Sequence, residues 1–284
     1  KEVCDIPVFH DDQHGTAVCC GAALLNACRL TGRKLSEIKM VVNGCGAAAI
    51  AVTKFLMFLG VKHITMVERF GIVCEGDEIV VFAPYFPEYK MFIESGAGAK
   101  CVIVPPSIAD FQIDFGALEQ RLNEHTKAVV VNSPNNPVGA VYTRENLEAL
   151  AAMLEEKGKE IGHPIYLISD EPYREITYGV EVPYVPTIYP RTLVCYSYSK
   201  ALSLPGERVG YVYVSDTMDA EEADRVFFAV AGAGRAHGYI CAPVLFQRVA
   251  AACVDEPSDV EAYATNRRIL TEALDEMGYE YVQP

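Results

Sequence analysis

The chain contains no uninterrupted run of 18 apolar residues, about the length a helix needs to span a bilayer. Its opening residues (Lys1, Glu2, Val3, Cys4, Asp5) do not form the basic-then-apolar pattern of a secretory signal. An initial Met is absent too, so the expectation is a fragment of a longer protein. Positive charge is scarce. With 24 Lys and Arg against 38 Asp and Glu, the net charge is −14, which argues against nucleic acid because phosphate binding needs basic patches. No Cys-x-x-Cys pair occurs among the ten cysteines, and Cys101, Cys195, Cys241 and Cys253 sit in apolar runs, where a free thiol acts as a small hydrophobe. That pattern speaks against zinc and disulfides and for a reduced, cytoplasmic protein. A hydrophobic content of 51% is enough to bury a sizeable core.

Short β-branched runs alternate with helical patterns. Strands are expected over residues 38–43, 63–67, 78–83, 100–104, 127–132, 165–169, 193–197 and 209–214. Helices are expected over 17–30, 47–59, 88–97, 115–125, 144–159 and 241–254. The alternation predicts an α/β fold, three αβα layers around a mostly parallel sheet. Continuous apolar runs such as 128–131 fit strands buried on both faces. Residues 258–277 read as one long amphipathic helix, with Val260, Tyr263, Leu270, Leu274 and Met277 at helical spacing and Gly278 as its stop.

Residues 38–68 read as strand, glycine turn, helix and strand. Gly44, Gly46 and Ala49 form a GxGxxA turn, and Glu68 closes the next strand. Glycines there let the backbone approach a pyrophosphate at a helix N-terminus, and the acid can accept a ribose hydroxyl, so NAD is a candidate ligand. The alternative reading is an ordinary tight strand–helix turn. Upstream, Asp11 and Asp12 are either oxygen ligands for Mg²⁺ or Mn²⁺ or solvated acids capping the helix from Ala17. The stretches IPVFHDDQHGTA, LTGRKL and VVNGCGAAAIAV resemble the start of the NAD-binding domain of bacterial malic enzymes. That resemblance implies a metal ligand at Asp12, with Asp11 in the same site. The family's catalytic Tyr and Lys lie upstream of the matching stretch and have no counterpart here, which speaks against malate oxidation.

From Gly76 onward the pattern changes. Ser197-Tyr198-Ser199-Lys200 is followed by Arg208 eight residues after the lysine, then Val209 and Gly210. Ahead of it come Ala83-Pro84-Tyr85-Phe86, Asn132-Ser133-Pro134-Asn135-Asn136-Pro137-Val138-Gly139 and Ser169-Asp170-Glu171-Pro172-Tyr173. Taken singly, these could be a surface lysine, a plain turn and a plain loop. Together, in this order, they resemble the class I aminotransferases of the aspartate aminotransferase superfamily, over residues 76–284.

The resemblance implies a fold type I large domain and pyridoxal 5′-phosphate (PLP) held as a Schiff base on Lys200. It implies that Lys200 moves the substrate proton, Asp170 partners the pyridine nitrogen, and Asn136 and Tyr173 bond the phenolic oxygen. Phe86 would stack on the ring, and Ser197, Ser199 and Arg208 would bind the phosphate. It further implies amino-acid and 2-oxo-acid substrates and a homodimer, with no nucleic acid or membrane partner. The expected organisation is a malic-enzyme-like fragment over 1–76, a large PLP-binding domain over 77–256, and a connector helix opening a truncated small domain over 257–284. The join near residues 74–77 reads as a fusion. Because the chain ends before the family's carboxylate-gripping arginine, cofactor binding is expected to outlast turnover. The alternatives are an NAD-binding oxidoreductase fragment and a catalytically silent fusion product.

Overall fold

A computed structural model describes residues 15–43, 47–67, 76–236 and 241–281. The chain divides into two compact units, residues 1–71 with 225–241, and residues 72–224 with 242–284.

In the first unit, α1 (Thr16–Thr31) ends at Gly32, whose φ of 67° places it in the left-handed region that favours glycine. It is followed by β1 (Lys39–Asn43), α2 (Ala47–Leu59) and β2 (His63–Val67). The two strands pair in parallel from Lys39 beside His63 to Asn43 beside Val67, as a βαβ crossover requires. This is the strand–helix–strand read from the sequence. Ala49 lies in the first turn of α2, while Gly44, Gly46, Glu68, Asp11 and Asp12 lie outside the described residues.

The second unit holds β3 (Glu78–Phe82), α3 (Glu88–Ala97), β4 (Lys100–Val104), α4 (Phe115–Glu119), β5 (Thr126–Asn132), α5 (Arg144–Ile161), β6 (Tyr166–Asp170) and β7 (Thr192–Ser197). The short α6 (Tyr198–Ala201) and β8 (Gly210–Val214) follow, then α7 (Ala220–Ala236), whose residues from Arg225 belong to the first unit. Helices α8 (Val244–Ala252) and α9 (Val260–Glu276) complete the described elements. Six strands form one sheet in the order β4-β3-β5-β6-β7-β8, parallel except where β8 runs back along β7. Alternate residues of a strand feed opposite cores. Val80, Phe82, Val129 and Val131 pack with Leu147, Leu150 and Leu154 of α5, whereas Ile79, Val81, Ala128 and Val130 pack with Ile93 of α3. Both faces are covered, which is why these strands read as continuous apolar runs.

Several expected boundaries move. The helix expected over 115–125 is only α4, because the Asn123 amide donates to Glu78 Oε2 at 2.8 Å and its Oδ1 accepts from the His125 amide at 2.8 Å. Local side-chain bonds of this kind compete with helix. The helix expected over 241–254 starts at Val244, after Pro243, and Cys241 is exposed rather than set in a core. Helix α7 was not expected, although Asp219 caps it through the amides of Glu221 and Glu222 at 3.1 Å, and a capping residue with Glu three positions on is a legible start signal. Helix α9 forms from Asp259, but Leu270 and Met277 of its apolar stripe are both 64% exposed.

Gly210 shows why the lysine segment needs glycine after Arg208 and Val209. A Cβ built on Gly210 would lie 2.3 Å from the Tyr196 carbonyl oxygen of the paired strand. Gly210→Ala is therefore expected to cost at least about 1–3 kcal/mol, since backbone on both strands must shift. Chemical denaturation monitored by circular dichroism measures this; an unchanged midpoint would mean that the two strands separate freely.

Candidate active site

The sheet sets the site before any side chain is considered. After β3 the chain places β4 on one side and β5 on the other, and a crevice opens outside the carboxyl ends of strands at such a reversal. Asn132 ends β5, Asp170 ends β6 and Ser197 ends β7, so three motif residues arrive at one edge. Register aligns them further, with Asn132 beside Asp170 and Asp170 beside Cys195.

Asp170 is the hub. Its backbone carbonyl accepts from the Asn132 side-chain amide at 2.9 Å, and Asn132 Oδ1 accepts the backbone N–H of Asn136 at 2.6 Å. Buried Asn132 thus ties the loop after β5 to the end of β6. That loop is closed by Gly139 N–H donating to the Asn135 carbonyl at 2.7 Å, with Gly139 at φ 80°. The Asn135 amide reaches the Pro84 carbonyl at 3.4 Å and so joins the loop after β3. Asn136 lies near enough to the Tyr173 hydroxyl to lower its pKa, and the Lys200 ammonium lies 5.7 Å from the centre of the Tyr173 ring. Lys200, Tyr173 and Asn136 are thus brought near one another, and Asn132 links Asn136 to the Asp170 backbone.

Tyr89 was not singled out from the sequence. Its hydroxyl donates to Asp170 Oδ2, and its ring meets Phe86 edge-on at 5.7 Å between centres. Phe86 lies in the turn that leads into α3 and Tyr89 in the helix's first turn, with the Tyr89 N–H donating to the Phe86 carbonyl at 3.0 Å. Burial raises the Asp170 pKa and the Glu171 charge adds to it, while the Tyr89 hydrogen bond works the other way. Burial likewise raises Tyr173, helped by the Asp170 charge and opposed by Asn136. Cys195 is pushed up to about 12 by burial and by the charges of Asp170 and Glu171, so it stays a thiol.

A second unexpected network stands behind the hub. Buried Glu171 accepts from Ser169 Oγ at 2.7 Å and Arg174 Nε at 2.6 Å, and Arg174 donates on to the carbonyls of Val182 and Pro183, both at 2.9 Å. This clamps the turn that carries Asp170 and Tyr173.

The remaining motif residues lie around α6. Ser197 caps that helix, accepting from the Ser199 N–H at 3.2 Å, while its hydroxyl donates to Ser199 Oγ at 2.7 Å. Lys200 is exposed, one residue before the helix ends. Arg208, also exposed and at φ 54°, donates to the Pro205 carbonyl at 2.9 Å, so its head turns onto its own loop. The edge thus holds an amine, a buried carboxylate, a phenol, an amide and a pair of hydroxyls, with an aromatic ring beside the carboxylate. Such a set can bind a ring covalently, pair with a basic ring nitrogen and hold an anion.

Over 89 residues, 31% of its length, the chain is 53% identical to the NAD-dependent malic enzyme of Geobacillus stearothermophilus, covering 18% of that protein. Over 230 residues it is 30% identical to the aspartate aminotransferase of Thermotoga maritima, covering 79% of this chain and 57% of that one. The crystal structure of an amino transferase from Eubacterium rectale matches with a TM-score of 0.70 and 53% identity, over 74% of this chain and 52% of the other. The chain spans about half the length of the curated aminotransferases it matches. The family model for aminotransferase class I and II matches residues 40–284, and the chain belongs to that family.

Proposed function

We propose that this chain is a PLP-dependent aminotransferase, moving an amino group between an amino acid and a 2-oxo acid. One observation carries the reading: the Lys200 amine, the Tyr173 phenol, Asn136 and the buried Asp170 carboxylate form one connected group at the strand ends. PLP implies a ring nitrogen, a phenolic oxygen, an aldehyde and a phosphate, and this donor set suits each of them. When bound, PLP supplies the electron sink for a carbanion at the substrate Cα.

Lys200 would hold the cofactor covalently, and its amine, once freed, would take the proton from the substrate Cα and deliver it to the cofactor carbon that carried the aldehyde. Asp170 accepts from the ring nitrogen and keeps a proton there. Asn136 and Tyr173 hydrogen-bond the phenolic oxygen, and Phe86 covers the ring. Ser197, Ser199 and Arg208 bind the phosphate, Arg208 after swinging away from the Pro205 carbonyl. We read residues 1–76 as a malic-enzyme-like segment, 77–256 as the cofactor domain and 257–284 as the connector. No described helix is long and apolar enough to cross a membrane, and the absence of a Cys-x-x-Cys pair in the sequence supports the reading of a reduced, cytoplasmic protein.

The test is a half-reaction. Protein loaded with PLP is mixed with a panel of amino acids, and conversion to the amine form of the cofactor is followed by visible absorbance. No spectral change with any of them sinks the proposal. The reading also predicts a homodimer, and light scattering at micromolar concentration should give twice the chain mass.

The parallel β1–α2–β2 unit, with the similarity to malic enzyme, supports a second reading for the first segment, NAD at the turn into α2. Titration calorimetry with NAD tests it, and no measurable heat rejects it.

A further inference from the structure

Asp170 is followed directly by a second buried acid. The Glu171 side chain is 2% exposed, and the Arg174 side chain that pairs with it is 23% exposed. Three hydrogen bonds fix the plane of that guanidinium: Nε donates to Glu171 Oε2 at 2.6 Å, and the two terminal nitrogens donate to the carbonyls of Val182 and Pro183, both at 2.9 Å. Its carbon also lies 5.3 Å from the centre of the Tyr184 ring. Arginine supplies such a planar fork and lysine does not. Glu171 is held from its other side, accepting from the Ser169 hydroxyl at 2.7 Å while its own N–H donates to the Cys195 carbonyl at 2.9 Å. The groups that face Asp170 are the Tyr89 hydroxyl from α3, the Tyr173 hydroxyl from the following turn, the Cys195 thiol from β7 and Glu171 itself. Lys200 reaches the same turn, over the Tyr173 ring. Burial raises the pKa of both phenols and of the thiol, so they stay protonated, and Glu171 is the negative charge in this set. A buried charge is tolerated when it is paired and is costly when it is alone.

We propose that Arg174 is a positioning residue for the cofactor site: through Glu171 it fixes the turn that carries Asp170 and Tyr173, and it offsets the negative charge that Glu171 directs at Asp170. The proposal rests on the transaminase reading for the use made of Asp170; the coupling of the three side chains rests on the network alone. Removing either half of the pair leaves the other half buried and uncompensated. The two losses act on Asp170 with opposite sign. Without the guanidinium, the Glu171 carboxylate stands alone one residue away and disfavours a second negative charge, so Asp170 protonates at higher pH. Without the Glu171 carboxylate, the guanidinium stands alone and favours the ionised form, so Asp170 protonates at lower pH. A clamp that acted by shape alone would loosen the turn in both variants and move Asp170 the same way in both.

The test follows the Asp170 carboxyl carbon by nuclear magnetic resonance in the full chain without PLP, with Asp170→Asn to assign its signal. The titration midpoint should move to higher pH in Arg174→Gln and to lower pH in Glu171→Gln. The double variant Glu171→Gln/Arg174→Gln should return toward the parent, because no unpaired charge is left. Arg174→Lys keeps the charge and loses the fork, so its midpoint should stay near the parent while its melting temperature falls. PLP-loaded protein gives a second readout, with the acid limb of the half-reaction shifting in the same directions. Circular dichroism checks the fold of each variant. Glutamine has the shape of Glu171 and can still accept both hydrogen bonds, so Glu171→Gln decides the question if Arg174→Gln does not fold. Midpoints that move the same way in both single variants, or a midpoint in Glu171→Gln at or above the parental value, overturn the proposal. If the midpoints move as expected while PLP-loaded protein gives no half-reaction, the transaminase reading falls and the coupling of Arg174 to Asp170 stands.

Discussion

Lys200→Ala is expected to remove covalent attachment of PLP and with it the half-reaction. Lys200 follows β7 on the short helix α6, and its amine lies over the Tyr173 ring. The position is fixed from below by the β7–β8 pairing and from behind by Ser197, which caps the helix. Borohydride reduction of PLP-loaded protein followed by peptide mapping should label Lys200 in the parent and leave the variant at background. The rate should fall by at least about 10²–10⁴-fold, the usual contribution of a positioned acid–base group, with covalent activation lost besides. Non-covalent affinity for PLP should fall less, because Asp170, Tyr173 and the serines remain. A variant labelled at a different lysine, or one that keeps the parental half-reaction rate, removes Lys200 from the mechanism.

Some of this site could be read from the chain, and some depended on pairings between distant residues. The strands were legible because Val80, Val81, Val129 and Val130 are buried on both faces of a parallel sheet, leaving no polar alternation to confuse the pattern. The motif residues were legible because each sits where a strand gives way to a loop, so glycine, proline and polar residues follow an apolar run. Asn132 was a different matter. It lies within the motif text, but its task of bonding the Asp170 carbonyl exists only because β5 and β6 align those two residues, 38 apart in the chain. Tyr89 reaches Asp170 across 81 residues, and Arg267 reaches the Tyr178 ring on a helix near the end of the chain. No local pattern encodes such meetings. The helix expected over 115–125 failed for the opposite reason: its apolar spacing was sound, but the Asn123 side chain satisfied local amides and the Glu78 carboxylate instead.

The Tyr89 hydrogen bond leads to the second large effect, which a pair of variants separates into charge and position. Asp170→Asn removes the negative charge that would hold a proton on the ring nitrogen. Loss of one preorganised electrostatic partner costs about 10²–10³-fold in rate, while phosphate and lysine contacts keep cofactor affinity closer to the parent. Tyr89→Phe leaves the carboxylate in place and takes away one donor. Burial and the Glu171 charge raise the Asp170 pKa, and the Tyr89 hydroxyl opposes them by favouring the ionised form. With the hydroxyl gone, Asp170 protonates at higher pH, and a protonated acid no longer pairs with a protonated ring nitrogen. The acid limb of the rate profile should therefore move to higher pH in Tyr89→Phe, with a rate loss of roughly tenfold, the equivalent of a charged-group hydrogen bond worth about 1.5 kcal/mol. In Asp170→Asn the group that titrates is absent, so that limb should flatten instead. Single-turnover rates for both variants across a pH series, beside the parent, make the comparison. If Tyr89→Phe has an unchanged acid limb and a lower melting temperature, the tyrosine is a packing residue of α3 and does not tune Asp170.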